Sequence, residues 1–346
     1  MNFHTLNNAL GCDTMTEFLD SCYEVIKIQE RSIADTINSV DRTKVVNIVG
    51  KRIVLIGAGD SYAVSEYGKW VFQSIGLNAI SLSPPEVIHI PMGSDTVVIG
   101  VTASGRSLST LDALQKTRSK GAETIVLTDD VEGKASEETS NLWVTKASVD
   151  SYNVSPASPT TTAMAYLLAI ASEMDSELQS SLQDDVKQLT KIGKDMLDWA
   201  EHEGKTIAKL VTPGPPLYMI SDGPNHVAAQ IGMMKFNEFA VVKGFAALRE
   251  DFCHHQNLSI DDEDQALLVS GQKSPDDERY MKVLTEVLNM EAYHIHVPVE
   301  FGLKTALAQT IPNTIALQMG SHFTVRRYNP DMEWFRMPHA KAFRIY

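Results

Sequence analysis

The sequence predicts an α/β fold in which two parallel β-sheets, one in each half of the chain, are flanked by helices. Short apolar runs that end at a glycine alternate with segments of helical periodicity, which is typical of parallel strands buried on both faces. The order of strand, glycine and helix begins again after a Pro-rich break at 212–216, so the second half repeats the plan of the first. The 346 residues are enough for two domains.

Each element of the first half follows from its local pattern. The segment 15–37 has apolar residues at helical spacing and threonines near its start that can cap a helix, which indicates a packing helix ahead of the sheet. The first strand, 52–57, is a continuous apolar run that ends at Gly57. Further strands are predicted at 79–82, 97–101 and 124–128, and helices at 62–75, 108–120 and 160–172.

The second half begins after a polar helical stretch at 175–208 and the Pro-rich break. Strands are predicted at 217–221, 266–271 and 293–297, with a helix after the first of them that extends to residue 242. The chain is therefore divided into four regions: an N-terminal helical segment (1–45), a first α/β domain (46–185), a second α/β domain (186–330) and a C-terminal tail (331–346).

The composition is ordinary for a soluble globular protein, with 43% apolar and 21% charged residues. A formal net charge of −14 opposes nucleic-acid binding, because phosphate contacts need a basic surface. No apolar run is long enough to span a bilayer, and the first residues lack the pattern of a secretory signal. Cys12, Cys22 and Cys253 lack metal-site spacing. We expect a cytoplasmic protein with free thiols that binds neither membranes nor nucleic acids.

A glycine turn follows the first strand, where residues 57–62 read Gly-Ala-Gly-Asp-Ser-Tyr. Such a turn between a buried strand and a helix exposes backbone amides, and anions bind there. A dinucleotide site is disfavoured, because the third glycine of that fingerprint is absent and Ser83 and prolines, rather than an acidic residue, follow the strand at 79–82. The lysine-bearing loop of nucleoside triphosphatases is absent as well.

A second loop, residues 101–107 (Val-Thr-Ala-Ser-Gly-Arg-Ser), lies where the third of the first-half strands passes into a helix. The hydroxyls of Thr102, Ser104 and Ser107, together with amides at a helix start, form a cradle for a phosphate monoester that needs little positive charge. Helix capping would need only one hydroxyl. The cluster at the carboxyl end of a parallel strand therefore favours a phosphate-binding loop.

These two segments resemble the sugar isomerase (SIS) domain family, which includes the isomerase half of glucosamine-6-phosphate synthase and stand-alone glucosamine-6-phosphate deaminases and phosphosugar isomerases. The family shows a Gly-x-Gly-Thr-Ser-Tyr turn and a Ser-Gln-Ser-Gly-Glu-Thr loop, so Asp60 and Ala103 depart from its threonine and glutamine. The resemblance implies two tandem SIS domains, each a parallel flavodoxin-like sheet flanked by helices. It also implies ligands of a phosphorylated sugar: Asp60, Ser61, Thr102, Ala103, Ser104 and Ser107.

The resemblance assigns proton chemistry to the second half. Residues 235–238 (Lys-Phe-Asn-Glu) resemble the family's Lys-Leu-Lys-Glu, which makes Glu238 the candidate base for moving a proton between C1 and C2, although a helical glutamate is usually solvated. Residues 250–256 resemble Glu-Leu-Lys-His-Gly-Pro, and His254 falls on the histidine that assists ring opening in the neighbouring subunit, which implies a homodimer. No further ligands accompany His254 and His255 at metal spacing, so we expect no metal.

Two further segments resemble parts of the family that lie over the bound sugar. The tail at 339–346 resembles Leu-Ala-Lys-Ser-Val-Thr-Val-Glu, which implies that Lys341 can form an imine with an open-chain ketose. A terminal lysine is ordinarily mobile, but apolar residues around Lys341 indicate that the tail packs. Residues 158–162 (Ser-Pro-Thr-Thr-Thr) resemble the family's Ser-Thr-Lys segment and imply a substrate contact for Ser158, but a hydroxyl-rich helix start explains them equally well.

Three functions remain open. We expect no glutaminase domain in this chain, and therefore an aldose-ketose isomerase or deaminase, without a cofactor, that interconverts glucosamine 6-phosphate and fructose 6-phosphate with free ammonia. A deglycase that splits a phosphorylated sugar-amine conjugate would use a related proton shuttle. A non-catalytic sugar-phosphate regulator would need no base, so the presence of Glu238, His254 and Lys341 together opposes it.

Overall fold

The first half contains a sheet preceded by two helices. The computed structural model describes residues 18–139, 141–149, 152, 154–155, 157–335 and 342–345. Helices α1 (Phe18–Lys27) and α2 (Gln29–Ser39) come first. The remaining elements of this half are β1 (Arg52–Ile56), α3 (Asp60–Ser74), β2 (Ala79–Leu82), β3 (Thr96–Val101), α4 (Leu108–Ser119), β4 (Glu123–Thr128), β5 (Leu142–Val144) and α5 (Ser158–Ala171).

The second half repeats the alternation of strands and helices. Helices α6 (Gln179–Leu189) and α7 (Gly193–Leu210) lead into it. Its elements are β6 (Leu217–Ser221), α8 (Asn225–Glu238), β7 (Gly244–Leu248), α9 (Arg249–His254), β8 (Gln265–Ser270), α10 (Pro275–Lys282), β9 (Glu291–His296) and α11 (Ala306–Tyr328).

Both sheets are parallel throughout their described pairs. The first has the order β2-β1-β3-β4-β5, which is the flavodoxin-like order, and the second has the order β7-β6-β8-β9, which repeats its first four positions. The predicted fold class is confirmed. Because Ile56 of β1 pairs with Gly100 of β3, the glycine turn after β1 and the hydroxyl loop after β3 emerge side by side.

Several elements differ from the sequence prediction. The single helix predicted at 15–37 is, over its described part, two helices separated at Ile28. The prediction omitted β5, β7, α9, α10 and α11. The strand β5 has three residues and β7 alternates between buried and exposed positions, so neither forms a long apolar run. Helix α11 is buried around most of its circumference, so it lacks the polar face of an amphipathic helix.

One apolar core spans both sheets. It contains side chains from β1 and β8, and it also contains residues of α5 and α11, for example Leu55, Leu267, Met164 and Ile315. All 14 residues of α5 are buried. The division into four regions stays a prediction, and its boundary at 185/186 falls within α6. Among the described residues, no helix combines the length and apolar character needed to cross a membrane.

Candidate active site

A cavity of about 450 Å³ lies at the carboxyl ends of β1, β3 and β4. Six of the sequence-predicted ligands, Asp60, Ser61, Thr102, Ala103, Ser104 and Ser107, line it. Glu238 of the second half lines the same cavity. The structure therefore brings the candidate phosphate loop and the candidate base together, although more than 130 residues of sequence separate them.

The turn after β1 requires glycine at its first position. A side chain at Gly57 would place its Cβ 2.3 Å from the Ser61 carbonyl oxygen, so the chain could not turn this tightly into α3 with any other residue. Gly59 adopts a positive φ of 59° just before the helix begins at Asp60. Asp60 and Ser61 are thus held at the positive end of α3 and beside the cavity.

The hydroxyl loop is held from behind by the segment after β4. The carbonyl oxygen of Ala103 accepts hydrogen bonds from the amides of Asp129 and Asp130, both at 3.1 Å. At Gly105, where φ is 62°, an added Cβ would lie 2.8 Å from Gly133 Cα, so glycine permits this close approach. Within the described part of the chain, no hydrogen bond uses the amides of Ser104, Arg106 and Ser107. Those amides remain available to an anion.

A buried lysine connects the two halves at the cavity wall. Lys235 Nζ lies 2.6 Å from Asp60 Oδ2 and 3.1 Å from each carboxylate oxygen of Glu238. The Lys235 side chain is only 2% exposed, whereas that of Glu238 is 29% exposed. Ser155 Oγ donates to Glu238 Oε2 at 2.8 Å. These contacts fix the carboxylate of Glu238 at the edge of the cavity with one face open to it.

Burial is the largest single influence on the pKa values of Asp60 and Lys235. Burial, opposed by the Lys235 ammonium and aided by the Glu238 carboxylate, raises the pKa of Asp60 to about 6. Burial alone would lower the pKa of Lys235, but the two carboxylates outweigh it and raise that pKa above the ordinary lysine value. The ammonium is therefore charged at neutral pH and is shared by two acids.

Another part of the cavity wall is built around Asp129. Its carboxylate accepts hydrogen bonds from the amide of Ala147 at 2.7 Å, from the Thr145 hydroxyl at 3.1 Å and from the Tyr152 hydroxyl at 3.1 Å. Burial and the Asp129 carboxylate raise the pKa of Tyr152 above its ordinary value, so the phenol stays protonated. Asp129, Thr145 and Tyr152 all line the cavity as fixed polar groups.

The described end of the tail covers the hydroxyl loop. The amide of Leu108, the first residue of α4, donates to the carbonyl oxygen of Ile345 at 3.2 Å. Phe343, Arg344 and Ile345 line the cavity, so Arg344 places a guanidinium at its wall. The packing expected of the tail is found for 342–345, but Lys341 lies outside the described residues.

Two predicted residues lie away from this cavity. Ser158 is fully buried at the start of α5, where it contacts Ser32 Oγ at 2.7 Å and the Ala147 carbonyl oxygen at 2.8 Å; Pro159 and Thr160 line the wall instead. The His254 side chain is 78% exposed at the end of α9 and lies 3.4 Å from Glu250. Within the described ranges, no three metal-ligating side chains are grouped to hold a metal ion.

Sequence reasoning gave no role to Lys235, Asp129, Tyr152 or Arg344. The only local signal for Lys235 is its spacing of three residues from Glu238, which places both on one helix face. Its second partner, Asp60, is 175 positions away in the chain and could be identified only from the fold.

Comparison with known proteins shows what this chain is similar to. Residues 48–172 match the SIS domain family. Among curated proteins the chain is similar to the isomerizing glutamine–fructose-6-phosphate aminotransferase of Sulfolobus acidocaldarius, at 24% identity over 61% of this chain and 36% of the relative. It is also similar to that of Aquifex aeolicus, at 26% identity over 68% of this chain and 39% of the relative. The chain thus spans little more than a third of the length of these relatives.

Solved structures extend the similarity to nearly the whole chain. The C-terminal domain of glucosamine-fructose-6-phosphate aminotransferase from Francisella tularensis has a TM-score of 0.74, with 17% identity, 90% of this chain and 96% of that chain covered. Glucosamine-6-phosphate deaminase from Thermotoga maritima has a TM-score of 0.67, with 13% identity and coverages of 92% and 98%. Residues 48–172 thus match the SIS domain model, and the chain as a whole shares the fold of these two structures.

Proposed function

We propose that this protein is a phosphosugar aldose-ketose isomerase or deaminase that interconverts glucosamine 6-phosphate and fructose 6-phosphate with free ammonia. One observation carries the proposal: the hydroxyl loop of the first half and Glu238 of the second half line a single cavity. A phosphate site alone would suit a regulator as well, but a regulator has no need of a carboxylate fixed beside the sugar by Lys235 and Ser155.

The loop would hold the phosphate. The Ser104 and Ser107 hydroxyls and the amides without partners at 104, 106 and 107 all donate hydrogen bonds, which matches the acceptor oxygens of a phosphate monoester. The positive end of α4 favours the same charge. Arg344 supplies a full positive charge at the cavity wall, in a chain whose formal net charge is −14.

Glu238 would carry the proton between C1 and C2. In the deaminating direction, the open-chain 2-amino sugar loses the C2 proton to the carboxylate, and the same carboxylate returns a proton to C1. Water then adds to the resulting C2 imine and ammonia leaves, which gives the 2-ketose and balances the reaction. The resemblance of the tail assigns Lys341 the alternative of forming an imine with the ketose, and that role is part of the proposal.

We further propose a homodimer in which His254 completes the site of the neighbouring subunit. The exposed position of His254, outside the cavity of its own chain, supports this assignment. Mixing and refolding Glu238→Gln and His254→Asn subunits tests it: random pairing should restore about a quarter of wild-type activity, because one of the two sites in each heterodimer is intact. If the mixture stays as inactive as its components, His254 does not serve the neighbouring site.

The function is tested by incubating the purified protein with glucosamine 6-phosphate and measuring fructose 6-phosphate and ammonia in coupled assays. Equal amounts of both products establish the deaminase, provided that Glu238→Gln protein forms neither. Release of an amine and a sugar phosphate from a phosphorylated fructosamine, without activity on glucosamine 6-phosphate, would establish a deglycase instead. Thermal stabilisation by sugar phosphates without any turnover would identify a regulator.

A further inference from the structure

The Lys235 ammonium has two competing partners, one from each half of the molecule. Asp60, at the start of α3, lies 2.6 Å from Nζ, and Glu238, at the end of α8, lies 3.1 Å from it. Asp60 therefore has the shorter contact. The three side chains together carry a net charge of −1 when all are ionised, so the lysine neutralises the two acids only in part.

We propose that Asp60 is a positioning residue that keeps Glu238 able to accept a proton, because it holds Lys235 and withholds part of the ammonium charge from Glu238. The inference rests on the proposed role of Glu238 as the base. An ammonium paired with one carboxylate stabilises the ionised acid and makes it a poor base. A second carboxylate on the same ammonium reverses much of that effect through its own negative charge.

Few other charges reach Glu238. Cys22 of α1 is buried nearby and interacts electrostatically with both Glu238 and Lys235, but burial raises its pKa to about 11 and keeps the thiol neutral. Ser155 donates a hydrogen bond to Glu238 and carries no charge. Asp129 and Arg344 line the same cavity and have opposite charges. Asp60 is thus the carboxylate in direct contact with the lysine that Glu238 also contacts.

The position of Asp60 favours an effect on the proton affinity of Glu238 over a direct part in proton transfer. Its side chain is 11% exposed, and one carboxylate oxygen is engaged by Lys235, whereas Glu238 is more than twice as exposed. The threonine found at this position in the family motif could hydrogen-bond to Lys235 but could not share its charge. This substitution therefore gives the chain a base whose strength differs from that produced by a lone lysine-glutamate pair.

The test compares wild-type protein with Asp60→Asn, which removes the charge and keeps an oxygen that can accept from Lys235. The carboxyl carbon of Glu238 is followed by NMR titration in protein labelled with carbon-13 glutamate, and its signal is assigned by its loss in Glu238→Gln. Because burial raises the pKa of Asp60 to about 6, the two carboxylates titrate as a pair in the wild type. We expect the Glu238 signal to lose the step near pH 6 in Asp60→Asn and to titrate once, with a lower midpoint. Asp222→Asn, which removes a carboxylate at the turn after β6, is the matched control and should leave the midpoint unchanged.

A midpoint that stays the same or rises in Asp60→Asn overturns the proposal. If Asp60→Asn does not fold, Asp60→Ser is titrated in its place with the same expectation. In parallel, the pH profile of kcat/KM for glucosamine 6-phosphate should shift its acidic limb in the same direction, with kcat reduced roughly three- to tenfold and KM little changed. Absence of turnover in every protein contradicts the proposed function, and the NMR titration still decides the role of Asp60.

Discussion

The two sheets share one strand order over four strands, but the polar groups at their carboxyl ends are arranged differently. In the first half that edge opens into the cavity, and the described part of the hydroxyl loop keeps backbone amides without partners. In the second half the polar groups at the equivalent edge bind one another. Ser221 contacts His226 at 3.1 Å, and Ser270 contacts His294 at 2.6 Å.

Ion pairs and side-chain amide hydrogen bonds connect further polar groups at the second edge. Arg249 lies 2.7 Å from Asp222 and also pairs with Asp277. Asn313 donates to the Ser270 carbonyl oxygen at 2.7 Å and to Asn225 at 2.8 Å. A polar edge whose side chains largely pair with one another offers less to a ligand, since binding would exchange one set of hydrogen bonds for another. The repeated fold thus has an edge that opens into a cavity in one half and an edge whose side chains largely pair with one another in the other.

The largest expected effect is on turnover, and it distinguishes the proposed base, Glu238, from the proposed phosphate-binding loop. Glu238→Gln should reduce kcat on glucosamine 6-phosphate by roughly 10²- to 10⁴-fold, because the amide cannot accept the C2 proton. Affinity for fructose 6-phosphate, measured by calorimetry, should change little, since the phosphate loop belongs to the other half. The surface variant Glu300→Gln serves as the control and should behave like wild type. Loss of turnover and of sugar-phosphate binding together would contradict this division of roles.

A smaller effect is expected from a serine at each edge. Ser104→Ala should raise KM for glucosamine 6-phosphate about tenfold or more before it lowers kcat, because a hydrogen bond to the charged phosphate is lost. Ser221→Ala removes a hydroxyl at the carboxyl end of β6, where its partner is His226, and should leave KM unchanged. Equal increases in KM for both variants would remove the contrast between the two edges.

The smallest effect concerns stability in acid. Burial alone would raise the pKa of the Asp277 carboxyl. Hydrogen bonds from Arg249 and Ser274 outweigh burial and hold that pKa below its ordinary value. An acid of this kind stabilises the folded state above its unfolded pKa of about 3.9, and the contribution disappears as the pH falls through the lower folded value. Urea unfolding at pH 7 and pH 3 should therefore show a smaller acid loss in Asp277→Asn than in wild type. An identical loss would mean that the carboxylate of Asp277 contributes nothing.

The parallel sheets and the hydroxyl loop were predictable because their signals are local. The strand β3 is buried throughout and apolar after Thr96. The hydroxyl residues of the loop at 101–107 follow it directly in the chain. The helix α11 was not predictable in the same way, because burial of most of its circumference removes the amphipathic period. The pairing of Lys235 with Asp60 was also hidden, since a lysine is usually solvated and only the packed halves bring these residues together.

The shared core has a consequence for how such a chain can be divided. Helix α5 follows the first sheet, has no exposed residue and packs in part against α11, so a fragment that ends after α5 would expose apolar surface to water. We expect fragments of either half to aggregate, and the intact chain to unfold in one cooperative step. Exchange of a single half for that of another protein would therefore also have to preserve the side chains that form this common core.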